Sequence, residues 1–97
     1  MSVRNIDFKA PAAVAVGVGN TTEGGGQFWS LIAEGAFVGT YVLEGSIDNL
    51  TFVPFSPAVS ITAPGVYQVV ATCPYVRINC TAYTSGTPKI FLHMRNG

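Results

Sequence analysis

The sequence predicts an all-β domain, an antiparallel β-sandwich or jelly roll of about eight strands. Three observations point there. Apolar and polar residues alternate through Tyr75–Tyr83, with Val76, Ile78, Cys80 and Ala82 on one side and Tyr75, Arg77, Asn79, Thr81 and Tyr83 on the other. Turn signals recur at short spacing: Asp48-Asn49, Ala63-Pro64-Gly65 and Ser85-Gly86. No stretch carries apolar residues at helical spacing, and Thr, Val, Ser and Gly stand where a helix would want Leu, Ala, Glu and Lys.

Along the chain, residues 1–11 lack alternation and carry Arg4, Asp7 and Lys9, so they are expected to form an N-terminal arm, with residues 12–97 as the single sandwich domain. Ala13–Val18 is the first expected strand, with Val14, Val16 and Val18 on one face. Asn20–Gly26 reads as a loop and Gln27–Ala33 as a strand around the single Trp29. Phe37–Ser46 and Leu50–Phe55 form a hairpin about Asp48-Asn49, and Pro54 and Pro57 mark its second strand as an edge or a bulge. Val59–Thr62 is a short strand and Gly65–Thr72 follows the proline turn. Tyr75–Tyr83 and Thr87–Met94 are expected to close a second hairpin through Ser85-Gly86, with Ile90, Leu92 and Met94 opposite Phe91, His93 and Arg95.

Ninety-seven residues make one domain with one core. Apolar residues are 48% of the chain and charged residues 10%, against about 25% charged in a typical globular protein. Disorder needs the opposite balance. So few charges leave neutral and apolar atoms on the surface, which favours life inside an assembly. Five cations against five anions give no basic excess for phosphates, so no nucleic-acid partner is expected. No apolar run is long enough to span a bilayer and no polybasic cluster is present, so no membrane partner is expected either. The start shows no secretory leader pattern, which makes a cytoplasm the expected site of synthesis.

Residue types that carry chemistry are sparse. His93 is the single histidine, and Cys73 and Cys80 lack metal-ligand spacing. The two cysteines are expected as free thiols, Cys80 in the core and Cys73 at a strand boundary before Pro74. Glu44 and Asp48 are candidates for a glycosidase-like pair or a calcium site, but one belongs to a strand and the other to a turn. The glycines from Gly17 to Gly26 lack the lysine and following helix of a phosphate loop. Asn20, Asn49 and Asn79 begin acceptor patterns for N-glycosylation, read as incidental without a leader. Trp29, Tyr41, Tyr67, Tyr75 and Tyr83 could form a sugar-binding platform or ordinary sandwich core. No catalytic set, cofactor or metal site is expected.

Two segments resemble a recurring pattern in small bacteriophage virion proteins. The first is Val42-Leu43-Glu44-Gly45-Ser46-Ile47-Asp48 followed by Phe52-Val53-Pro54; the second is Tyr75-Val76-Arg77 through Thr81, then Ser85-Gly86-Thr87. The match covers about Phe37–Leu92 and is also similar to galactose-binding-like jelly rolls. It departs at Phe52, where the pattern usually has Trp. The resemblance implies a non-enzymatic virion protein, a capsid decoration or cement subunit that stabilises the head by adhesion. The alternative it leaves is a carbohydrate-binding module of a tail or fibre. It further implies location in the virion, self-association as a homotrimer, and the phage major capsid protein as partner. Ile6, Phe8, Tyr75, Arg77, Tyr83 and His93 are the expected interface residues, and Arg77 could instead pair with Glu44 across the sheet.

Overall fold

A computed structural model describes residues 3–22, 28–69 and 73–95, and places ten strands there. They are β1 (Val3–Asp7), β2 (Ala15–Val16), β3 (Asn20–Thr21), β4 (Phe28–Glu34), β5 (Phe37–Ser46), β6 (Val53–Pro54), β7 (Ser60–Ile61), β8 (Gly65–Val69), β9 (Tyr75–Gly86) and β10 (Lys89–Arg95). No helix occurs among the described residues. The first sheet runs β1-β10-β4-β8; the second runs β2-β9-β5-β6, with β3 also on β9 and β7 also on β5. Every pairing is antiparallel. The all-β sandwich expected from the sequence is the fold observed.

The hairpin about Asp48-Asn49 forms, with Glu44 opposite Pro54 and Gly45 opposite Val53. Its second strand is only two residues long, since proline donates no ladder hydrogen bond and confines the strand to the sheet edge.

The second expected hairpin is corrected. β9 and β10 do not pair; β9 lies in the second sheet and β10 in the first. β4 and β5 cross between sheets in the same way, so the two crossings lie against each other. Thr87 N donates to Ala36 O at 3.2 Å. Gly35 and Gly86 sit at φ 89° and 98°, a conformation side chains rarely adopt. A Cβ on Gly86 would lie 2.2 Å from Ala36 O, and one on Gly35 would lie 2.8 Å from Thr87 O. β4–β5 and β9–β10 therefore form one antiparallel ribbon folded over the core. It pairs Lys89 with Glu34 on one side of the fold and Gly86 with Phe37 on the other.

The N-terminal arm is also corrected. Val3–Asp7 is an edge strand on β10, with Ile6 opposite Leu92. Phe8 N donates to Ile90 O at 3.0 Å, and Ile6 and Phe8 are 5% and 2% exposed. These two anchors find their partner inside their own domain. The core they join includes Trp29, Leu31, Tyr41, Leu43, Ile61, Val76, Ile78, Cys80, Ile90, Leu92 and Met94. Alternation placed the inner faces of β9 and β10 correctly up to Cys80. Beyond it, the register shifts at Val38/Gly39 and Thr40/Tyr41 leave Thr84 and Thr81 without a partner on β5. Two such bulges turn Ala82 to solvent and let Tyr83 pack against the core.

Candidate functional site

On the outer face of the second sheet, β5 and β9 bring Glu44 and Arg77 opposite each other. Arg77 Nε donates to Glu44 Oε1 at 2.7 Å, and Asn79 Nδ2 donates to Glu44 Oε2 at 3.1 Å. The guanidinium carbon lies 4.3 Å from the Phe52 ring centroid, within cation–π reach. Glu44 is 6% exposed. Both its oxygens are engaged and its cation is capped by an aromatic ring, so this cluster ties the hairpin down onto the sheet. Gly19 leaves room for that arrangement, because a Cβ there would meet Phe52 and the Asn49 side chain.

Asp48 is committed elsewhere. Its Oδ1 accepts from Leu50 N at 2.9 Å, Thr51 N at 3.0 Å and Ser46 Oγ at 2.9 Å. Ser46 Oγ in turn accepts from Asp48 N and Asn49 N. Donation from the backbone of Thr51 and then Leu50 holds the Asp48 carboxyl below its ordinary range. Glu44 and Asp48 are thus held in separate hydrogen-bond sets. Among the described residues no group of three or more His, Cys, Asp or Glu gathers as a metal site.

The turn raises Ile47 and Leu50 to 84% exposure each, and Val53 to 60%. Ile47 and Val53 border an apolar hollow of about 430 Å³ with Gly45, Ser46, Thr51 and Cys73. Cys73 is a free, half-buried thiol whose pKa is pushed up by burial. Gly45 has no room for a side chain, since a Cβ would lie 2.6 Å from Cys73 Sγ and 2.9 Å from Phe55. Cys80 is free and buried, as expected.

Of the six residues expected at an interface, Ile6 and Phe8 are core residues. Tyr83 packs on the core and donates its hydroxyl to Gly86 O at 2.7 Å. Arg77 is paired as described, and Tyr75 is half-buried opposite Thr21 and Ser46. His93 lies on the outer face of the first sheet, with Nδ1 2.7 Å from Asn5 Oδ1. The aromatic platform does not assemble. Trp29 and Tyr41 are buried, and the Tyr41 hydroxyl donates to Pro11 O at 2.6 Å.

The outer face of the first sheet escaped the sequence reading. Cross-strand pairing sets two rows side by side: Asp7, Phe91, Ile32 and Val66, then Asn5, His93, Ser30 and Gln68. Beyond them Arg95 stands over Phe28 at 6.0 Å. Phe28, Ser30, Gln68, His93 and Arg95 line a groove of about 430 Å³. The available signal was Phe28-Trp29 and Leu31-Ile32, adjacent large apolar residues that a strand must send to opposite faces.

No protein family, curated protein or solved structure matches the chain. No helix among the described residues is long and apolar enough to cross a membrane.

Proposed function

We propose that the chain is a non-enzymatic structural subunit of a bacteriophage virion, a capsid decoration or cement protein that stabilises the head by surface adhesion. One observation carries this best: the hairpin tip presents Ile47, Leu50 and Val53 to solvent on a turn tied by Ser46 and Asp48. Binding through a pre-ordered turn avoids much of the entropy cost of ordering a loop. Val14, Val16 and Val18, exposed at 66%, 54% and 78%, add a second apolar strip, where the sequence had set all three on one strand face. With ten charges in 97 residues, such surface is suited to burial against a partner. The partner proposed is the major capsid protein, and the subunit is proposed to act as a homotrimer.

Sedimentation with purified capsids tests the proposal. The native chain should pellet with capsids at a copy number comparable to the capsid protein. An Ile47→Glu/Leu50→Glu variant should fold and stay in the supernatant. Equal binding by that variant removes the tip from the mechanism, and no binding by the native chain removes the capsid role. A second possibility, a carbohydrate-binding module of a tail or fibre, is favoured by the groove of Phe28, Ser30, Gln68, His93 and Arg95, which joins an aromatic face to hydrogen-bonding side chains. Retention of glycans that is lost in Phe28→Ala would select it.

A further inference from the structure

We propose that the groove on the outer face of the first sheet binds an acidic sugar, a carboxylate carried on a hydroxylated ring. Arg95 takes the carboxylate, Ser30, Gln68 and His93 take hydroxyl groups, and Phe28 packs against the C–H face of the ring. The inference rests on the carbohydrate reading given above as the second possibility; it names the class of sugar and the residue that selects it.

Strand register builds the groove. Arg95 on β10 stands opposite Phe28 on β4. His93 stands opposite Ser30, and Ser30 in turn opposite Gln68 on β8. Their strand neighbours Trp29, Leu31, Val69, Leu92 and Met94 are buried, so all five side chains project outward. With strands ~4.8 Å apart, the row of His93, Ser30 and Gln68 is about 10 Å wide. The groove holds about 430 Å³, in the lower part of the range for small-molecule sites and suited to one sugar unit.

Charge marks one end of it. Among the described residues Arg95 contacts only the Phe28 ring, 6.0 Å away, and the ion pair of Arg77 with Glu44 lies on the other sheet. Asp7 stands opposite Phe91, four residues from Arg95 along β10. That separation is ~13 Å at the rise of a strand, beyond the ~8 Å screening length at physiological salt. Asp7 Oδ1 also accepts from Lys9 N at 2.9 Å. Glu34 is farther still, opposite Lys89. Arg4 stands opposite Met94, in the inward-facing row of Ile6 and Phe8, so it does not face the groove.

A single guanidinium selects a carboxylate. Its planar fork matches two carboxylate oxygens with two parallel N–H donors. A phosphate monoester carries a charge of about −1.5 to −2, which one cation leaves only partly balanced. An amino acid would bring an ammonium group as well, and no described acid lines the groove to receive it. The Arg95–Phe28 contact is at the outer limit of cation–π reach, so a carboxylate can draw the guanidinium away at little cost.

The polar row calls for hydroxyl groups. His93 Nδ1 lies 2.7 Å from Asn5 Oδ1. An amide oxygen only accepts, so Nδ1 carries the proton and the Nε2 of the neutral ring is left as an acceptor. The side chains of Ser30 and Gln68 each donate and accept, and neither is hydrogen-bonded to another described residue. Hydroxyls satisfy all three. A purely apolar acid would strip them of water and return nothing. Phe28 is 53% exposed, so its ring can bury the C–H face of a sugar.

Titration of the full chain with glucuronate, its methyl ester and glucose, followed by amide NMR shifts, tests the site. Glucuronate should shift the amides of Ser30, Gln68, His93 and Arg95 and bind about tenfold tighter than either neutral probe, as one charge-assisted hydrogen bond implies. Arg95→Gln should keep the native thermal melt and remove that preference. Lys89→Gln, which deletes a cation at the far end of the same sheet, should leave it intact. A glucuronate-ended disaccharide that binds tighter than the free acid identifies a glycan end as the source of the ligand; equal binding identifies the free sugar acid. Equal binding of all three probes, or a preference that survives Arg95→Gln, overturns the acidic-sugar assignment and leaves the carbohydrate reading standing. Inorganic phosphate that shifts the same amides as strongly as glucuronate also overturns it, as a site for any anion. No shift with any sugar up to about 50 mM, weaker than ordinary recognition, overturns both.

Discussion

Glu44 is a carboxylate whose two oxygens are both engaged within the fold. Arg77 and Asn79 engage them, and the Phe52 ring caps the Arg77 guanidinium. Removing its cation strands a buried charge. Arg77→Ala should therefore lose roughly 1–3 kcal/mol of stability, measured by urea denaturation. Arg77→Ala combined with Glu44→Gln should lose less than the two single losses added. Asp48 makes a pH prediction. Its folded carboxyl is depressed by backbone donors. It therefore favours the folded state above the ordinary carboxylate pKa of about 3.9, and that advantage fades as pH falls through the folded value. Asp48→Asn should melt lower than the native chain at pH 6, and the gap between the two melting temperatures should narrow as pH falls below the ordinary carboxylate value. A gap that stays constant across that range would exclude the carboxylate as the source.

At the scale of elements, the folded ribbon is the feature that most constrains the chain. Gly35 and Gly86 each need positive φ, and each faces the other crossing at less than side-chain distance. Gly86→Ala should cost at least ~3 kcal/mol, since backbone strain and a clash with Ala36 O add; a thermal melt shifted by only a degree or two would refute the corner. In the core the two sheets meet, and Ile78 and Leu92 are both fully buried. Ile78→Ala and Leu92→Ala should each lose about 2–5 kcal/mol in chemical denaturation. Both residues were legible from alternation alone. The partition of β9 and β10 into different sheets was not, because Ser85-Gly86-Thr87 carries the same turn chemistry whether a strand returns beside its neighbour or crosses the sandwich.

For the whole molecule, the N-terminus matters more than its composition implied. β1 pairs with β10 across nearly the full chain, from Val3 to Arg95. A chain starting at Ala12 would lose that edge strand together with Ile6 and Phe8. Far-UV circular dichroism should show it unfolded or melting far below the native chain. A truncated chain that melts like the native one would restore the independent arm. Pairing between such distant segments also makes closure slow, and refolding should take milliseconds to seconds in stopped-flow fluorescence of Trp29.

Local chemistry was enough for some of this. Alternation assigned the inner faces of β10 and of β9 as far as Cys80, because a strand sends neighbours to opposite sides whatever surrounds it. The hairpin at Asp48-Asn49 was likewise readable, because an acid at that position can satisfy its own turn's backbone. Tertiary structure decided the rest. Whether Ile6 and Phe8 meet a partner or their own core depends on which sheet offers an open edge. Whether Glu44 is a reagent or a tie depends on Arg77 and Asn79, more than thirty residues away in sequence. The outer face of the first sheet exists only because four strands scattered from Val3 to Arg95 align their alternate residues. Sequence spacing encodes what a strand does to its own side chains; register between distant strands determines which of those side chains become neighbours.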